Sequence, residues 1–314
     1  MNRRRVLIAM VVVALAVVIG FLLLRGCGDN APQTVRVVAV GDMVCDPSDP
    51  GVGSATECKS QEVSDIAVGL SPDAFLGLGD YVYEVPKADT YSSVYAPSWG
   101  RLRDITVPAL GNQEYKVHKA NTFHSYVGAL SGPDEGYWST ELGQWHVVVL
   151  NSNCTVVVGG CAADSPQQKW LAADLAANPN QFTVVLMHHP RSSTGVDGPD
   201  GRLADLFSTM VDGKVEIVLS GHEADYERFG TRDADGNPIP GGTRQFVVGT
   251  GGQVVYQPGV GDAPWRNKGH QVASEFADFT HHGVLELTLA PTSYSWEFHS
   301  LDAGPTDSGT ATCT

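Results

Sequence analysis

Five residues of this chain carry metal-binding side chains where an apolar run gives out: Asp42, Asp80, Asn112, His188 and His222. Glycine precedes four of them, Asp42, Asp80, Asn112 and His222. It permits the sharp turn and close backbone approach that a buried site requires. Two carboxylates, one carboxamide and two imidazoles make a mixed oxygen and nitrogen donor set suited to Mn, Fe or Zn. One shared carboxylate in such a set bridges two ions about 3.5 to 4 Å apart, an arrangement that clamps phosphate and activates water.

Strands must place these residues. Residues 35–40, 74–78 and 107–110 read as buried strands ending at Gly41-Asp42, Gly79-Asp80 and Gly111-Asn112. Residues 145–150, 182–187 and 215–220 read as further strands, the last two ending at His188-His189 and Gly221-His222. Helices are expected over 61–70, 166–177 and 203–211, the second opened by Ser165-Pro166-Gln167-Gln168, a capping box with proline at the first helical position. The C-terminal third reads as strands at 245–248, 284–289 and 294–299. Strand and helix alternating, then strands alone, predicts one α/β domain with partly parallel sheets covered by helices. Ligand sites of such sheets form beyond the carboxyl ends of the strands, so residues from 42 to 222 can converge there.

The 314 residues, 42% of them hydrophobic, suit one large domain and exclude disorder. Arg3, Arg4, Arg5, Arg25 and Asp29 lie in the first 30 residues, so the remainder carries 16 basic against 34 acidic side chains. A domain so acidic repels nucleic acid. Arg3 to Arg5 precede an uncharged stretch over 6–24, which as a helix covers about 28 Å, close to a bilayer core. Residues 1–30 are therefore expected to be a cytoplasmic basic tip and a transmembrane or signal-anchor helix, holding residues 31–314 outside the cytoplasm at the cell membrane. Secretion, or a lipoprotein formed through Cys27, is the alternative. Export permits disulfides, and the close pairs Cys45 with Cys58 and Cys154 with Cys161 are the candidates, leaving Cys27 and Cys313 without a partner.

The order of these motifs resembles the calcineurin-like metallophosphoesterases, and within them the purple acid phosphatase branch. The resemblance is carried by Gly41-Asp42, Gly79-Asp80-Tyr81-Val82-Tyr83, Gly111-Asn112-Gln113-Glu114, Val185-Leu186-Met187-His188 and Gly221-His222-Glu223-Ala224. It implies a four-layer sandwich of two mixed sheets flanked by helices, and one or two divalent or trivalent ions (Fe, Mn or Zn). By the same resemblance Asp80 bridges both ions, Asn112, His188 and His222 complete one site, and Asp42 with Tyr83 serves the other. Asn112, Gln113 and His189 are then the residues nearest the chemistry, which is hydrolysis of a phosphorylated small molecule or other phosphoric ester by metal-activated water.

The chain departs from that pattern at two histidines. Gln113 stands where the branch has the histidine of Asn-His-Glu, and Ala224 where it has the second histidine of Gly-His-x-His. Glutamine can donate a hydrogen bond to a phosphoryl oxygen but delivers no proton near neutral pH. Alanine ligates nothing, which leaves oxygen donors alone at the Asp42 and Tyr83 site. The two departures keep a second expectation open: a catalytically degenerate extracytoplasmic module that binds metal or ligand with the same fold. Among the other histidines, His118 and His124 follow the altered block most closely, with His270, His281 and His282 further off. Arg191 and Arg202 are candidate phosphate contacts.

Overall fold

The computed structural model describes residues 33–45, 58–83, 85–179, 181–255 and 272–313. The anchor expected over 6–24, Cys27 and His270 lie outside the described residues. Among the described residues no helix is long and apolar enough to cross a membrane.

Among the described residues thirteen strands form two mixed sheets. The first takes β1 (Val35–Val40), β2 (Ala74–Gly77), β3 (Thr106–Pro108), β11 (Gly283–Leu289), β12 (Ser293–Ser300) and β13 (Ser308–Thr312), in the order β13-β12-β11-β1-β2-β3. The second takes β4 (Trp138–Leu142), β5 (Trp145–Val149), β6 (Phe182–Leu186), β7 (Ile217–Ser220), β8 (Tyr226–Arg228), β9 (Arg244–Val248) and β10 (Phe276–Asp278), in the order β10-β8-β9-β7-β6-β5-β4. β1, β2 and β3 run parallel in one sheet, and β5, β6, β7 and β9 in the other. β4, β8, β10 and β13 add to the set expected from the sequence. Three of them are edge strands, two are three residues long, and β13, Ser-Gly-Thr-Ala-Thr, offers no apolar alternation.

The helices are α1 (Ser60–Gly69), α2 (Asn121–Val127), α3 (Pro166–Ala177) and α4 (Ala204–Asp212), with shorter turns between. α3 begins as expected: the Ser165 hydroxyl accepts from Gln168 N–H at 3.2 Å, and Pro166 takes the first position. The parallel strands are buried on both faces, which explains their unbroken apolar runs. In β6, Val184 and Leu186 join the core between the sheets, while Val185 joins Leu171, Leu206 and Met210 of α3 and α4 in a second core. Packing thus has helices on one side of the second sheet and α1 against β11 of the first. Both expected disulfides form, Cys45–Cys58 and Cys154–Cys161, and Cys313 is a free, half-buried thiol.

Candidate metal centre

The backbone at the strand ends is what brings the donors together. Gly41 N–H donates to Val248 O at 2.8 Å and Leu78 N–H to Val40 O at 3.0 Å, so the ends of β1, β2 and β9 meet where the apolar runs stop. Asp42 (φ 59°), Asp80 (φ 50°) and His222 (φ 72°) all take left-handed backbone conformations. That region is costly for residues bearing a Cβ and is found at sites where surroundings enforce it. The reversal turns each side chain back over its own strand end. Glycine is required beside them: a Cβ on Gly111 would lie 2.1 Å from Asp80 Oδ1.

His188, fully buried, is the centre of the cluster. Its Nδ1 lies 2.8 Å from Leu78 O, a carbonyl that can only accept, so Nδ1 carries the proton and Nε2 faces the other donors. Nε2 is 3.0 Å from Asn112 Oδ1, 3.2 Å from His222 Nδ1 and 3.3 Å from Asp80 Oδ2. On the other side of Asp80 the Tyr83 hydroxyl lies 2.8 Å from Asp80 Oδ2 and 2.5 Å from Asp42 Oδ1. His222 N–H donates to Asp42 Oδ2 at 2.7 Å, and Gln113 N–H to Asp80 Oδ1 at 2.8 Å. All six residues expected around the ions are therefore in one cluster, with Asp80 in the middle.

Electrostatics show what the cluster suits. Burial raises the Asp42 carboxyl. Burial also opposes charge on His188, yet Asp80 beside it outweighs this and pushes the imidazole up to about 9. Burial, and the two carboxylates next to it, hold the Tyr83 phenol well above its ordinary range. Acceptors that crowd a buried point until a histidine must hold a proton there are acceptors suited to a cation. The residues fit one on the His188 side: a carboxylate, a carboxamide oxygen and two imidazole nitrogens. The Tyr83 side offers oxygen donors only, and Ala224 is buried without contributing a donor.

Two residues that motif spacing leaves without a role hold the frame. Glu114 accepts from Gly111 N–H at 2.8 Å and from Asp80 and Tyr81 N–H at 2.9 Å each, which fastens the third strand end to the second. Ser152 Oγ accepts the N–H of His188 at 3.1 Å and of His189 at 2.8 Å. Its signal was the polar run Asn151-Ser152-Asn153 directly after a buried strand. The side-chain oxygen of Gln113 is buried with no hydrogen-bond partner among the described residues. Of the other histidines, His118 is exposed, and the His124 ring packs edge-on against Phe123. His281 pairs with Asp278, and His282 faces Gln253 O.

A groove of about 350 Å³ opens beside the cluster, lined among others by Asn112, Tyr115, Lys116, His189 and Arg202. Arg202 lines this groove and Arg191 does not.

A family model described as calcineurin-like phosphoesterase matches residues 35–226. Purple acid phosphatase 22 of Arabidopsis thaliana is 28% identical over 262 residues, 72% of this chain and 54% of that protein. Among solved structures, the purple acid phosphatase PPD1 from yellow lupin (Lupinus luteus) seeds covers 90% of this chain and 55% of its own, with a TM-score of 0.70 at 17% identity. GAP50, the anchor in the inner membrane complex of Plasmodium, covers 90% of this chain and 89% of its own, with a TM-score of 0.60 at 13% identity. These two likenesses bear on the fold alone. The chain spans about half the length of the purple acid phosphatases it matches.

Proposed function

Because the chain belongs to the calcineurin-like phosphoesterase family, in its purple acid phosphatase-like branch, we propose that it hydrolyses phosphoric esters with one or two bound metal ions. The observation that carries this is the position of His188 Nε2, within 3.3 Å of Asp80, Asn112 and His222 donors, with its proton-bearing Nδ1 tied to Leu78 O. Asp80, Asn112, His188 and His222 would hold one ion, and Asp42, Asp80 and Tyr83 the other. When bound, the ions supply Lewis acidity to the phosphoryl group and activate water for attack on phosphorus. The protein's own part is to hold the donors in place from the backbone and to present the ester in the groove beside Asn112. Tyr83 must give up its proton to ligate as phenolate, so loading of its side releases protons.

A second reading is favoured by Ala224 and Gln113, which remove one nitrogen donor and one proton donor: a module that binds metal or ligand without turnover. Two disulfides favour an oxidising compartment, and the basic tip followed by residues 6–24 would tether the domain at the membrane, facing outward.

The test supplies the full chain separately with Mn, Zn and Fe and follows release of a chromogenic phenol from a phosphate monoester and a diester. Asp80→Asn removes the shared carboxylate and should lower turnover by roughly a thousandfold, the worth of several kcal/mol of charge stabilisation. No metal-dependent turnover above that variant would favour the binding module.

A further inference from the structure

Ser152 decides how His189 is protonated. A serine hydroxyl has two lone pairs and one proton. Both lone pairs of the buried Ser152 Oγ are engaged by the N–H groups of His188 and His189. The remaining contact of Oγ is His189 Nδ1 at 2.9 Å, so the hydroxyl proton is donated there and Nδ1 is an acceptor. The ring proton of His189 then sits on Nε2. The ring has little freedom to turn, with His222 at 4.3 Å between centroids on one side and His188 edge-on at 5.0 Å on the other. Among the described residues Nε2 has no hydrogen-bond partner, and it is not among the fully buried polar atoms. His189 belongs to the wall of the groove, with Asn112 and Arg202.

His189 lies close enough to His188 and His222 to suggest a third imidazole ligand. An Nε2 that carries a proton offers a metal no lone pair, so His189 does not replace the donor missing at Ala224. We propose instead that His189 Nε2–H is a fixed hydrogen-bond donor to an oxygen of the phosphoryl group bound in this groove. This rests on the hydrolase reading above. Arg202 sits in the same wall with its guanidinium held by Asp200, 2.7 Å from Nη2 to Oδ2.

Two measurements on the full chain test it. Long-range proton–nitrogen NMR of the chain labelled with ¹⁵N-histidine reports the tautomer of each ring without any turnover. The His189 ring, assigned by its loss in His189→Gln, should show a protonated Nε2 and an accepting Nδ1, and Ser152→Ala should mix the two tautomers. Calorimetric titration of the Zn-loaded chain with inorganic phosphate is the second. Affinity should fall roughly ten- to a hundredfold in His189→Phe, as for loss of a hydrogen bond to a charged group. It should fall only a few-fold in His189→Gln, which keeps an N–H donor. A protonated Nδ1 in the assigned ring overturns the proposal even if His189→Phe does not fold. Equal phosphate affinity in wild type and His189→Phe overturns it while leaving the hydrolase reading in place. A Zn-loaded wild type that neither binds phosphate nor turns over ester overturns both.

Discussion

Asp80 joins three features in one residue. It takes the Gln113 N–H on Oδ1, faces His188 and Tyr83 with Oδ2, and sits at φ 50°, a conformation a Cβ-bearing residue adopts at some cost. Asp42 repeats the pattern with the His222 N–H and Tyr83. Removing one partner of such a buried group costs more than the bond itself, because the other is left charged and unpaired. The asymmetry of the cluster is also a matter of single residues. His188 and His222 give nitrogen to one side, and Ala224 gives none to the other. Ala224→His should therefore add a second tightly held equivalent of Zn or Fe, counted by metal analysis after dialysis. An unchanged metal content would mean that the Asp42 and Tyr83 side is complete without it.

At the scale of elements, caps and clasps set local stability. The Ser165 cap satisfies one of the open N–H groups at the start of α3, and Ser165→Ala should cost about 1 kcal/mol in denaturant unfolding. Glu216 joins β6 to β7: its carboxylate accepts Thr183 N–H at 2.7 Å, and its own N–H donates to Thr183 O at 3.1 Å. Burial pushes this carboxyl from 4.5 to about 7. A carboxyl that holds its proton more tightly in the folded chain favours folding below its unfolded value, and that advantage is lost as pH rises through about 7. Glu216→Gln copies the neutral form and keeps the acceptor for Thr183. It should raise stability by about 1 to 2 kcal/mol at pH 8 and scarcely at pH 4, by urea unfolding at both pH values.

On the scale of the whole molecule, the donors come from both sheets. Asp42, Asp80 and Asn112 follow strands of the first, and His188 and His222 strands of the second. A bound ion would tie the two together and would bind only the folded chain, so it stabilises by mass action. Chelation should lower Tm by about 5 °C or more, read by calorimetry with and without added Zn. No shift would mean that the cluster holds no ion at the metal concentration used.

How much was legible in the sequence follows the range of the interactions. Apolar runs that stop at Gly41-Asp42, Gly79-Asp80 and Gly221-His222 are local patterns, as are the Ser165 cap and the two closely spaced cysteine pairs. Chain order alone therefore foretold the α/β sheets and the convergence of these side chains at the strand ends. The three-residue strands β8 and β10 carry too few side chains to show a period and form because β9 and its neighbours are already in place. What Gln113 and His189 do was likewise beyond any local pattern. Both neighbour a donor in the chain, yet one side chain turns into the interior and the other is fixed by a serine 37 positions away. Spacing determines which residues can reach the site; only the closed tertiary structure, by using up both lone pairs of Ser152, decides which ring nitrogen faces the groove with a proton.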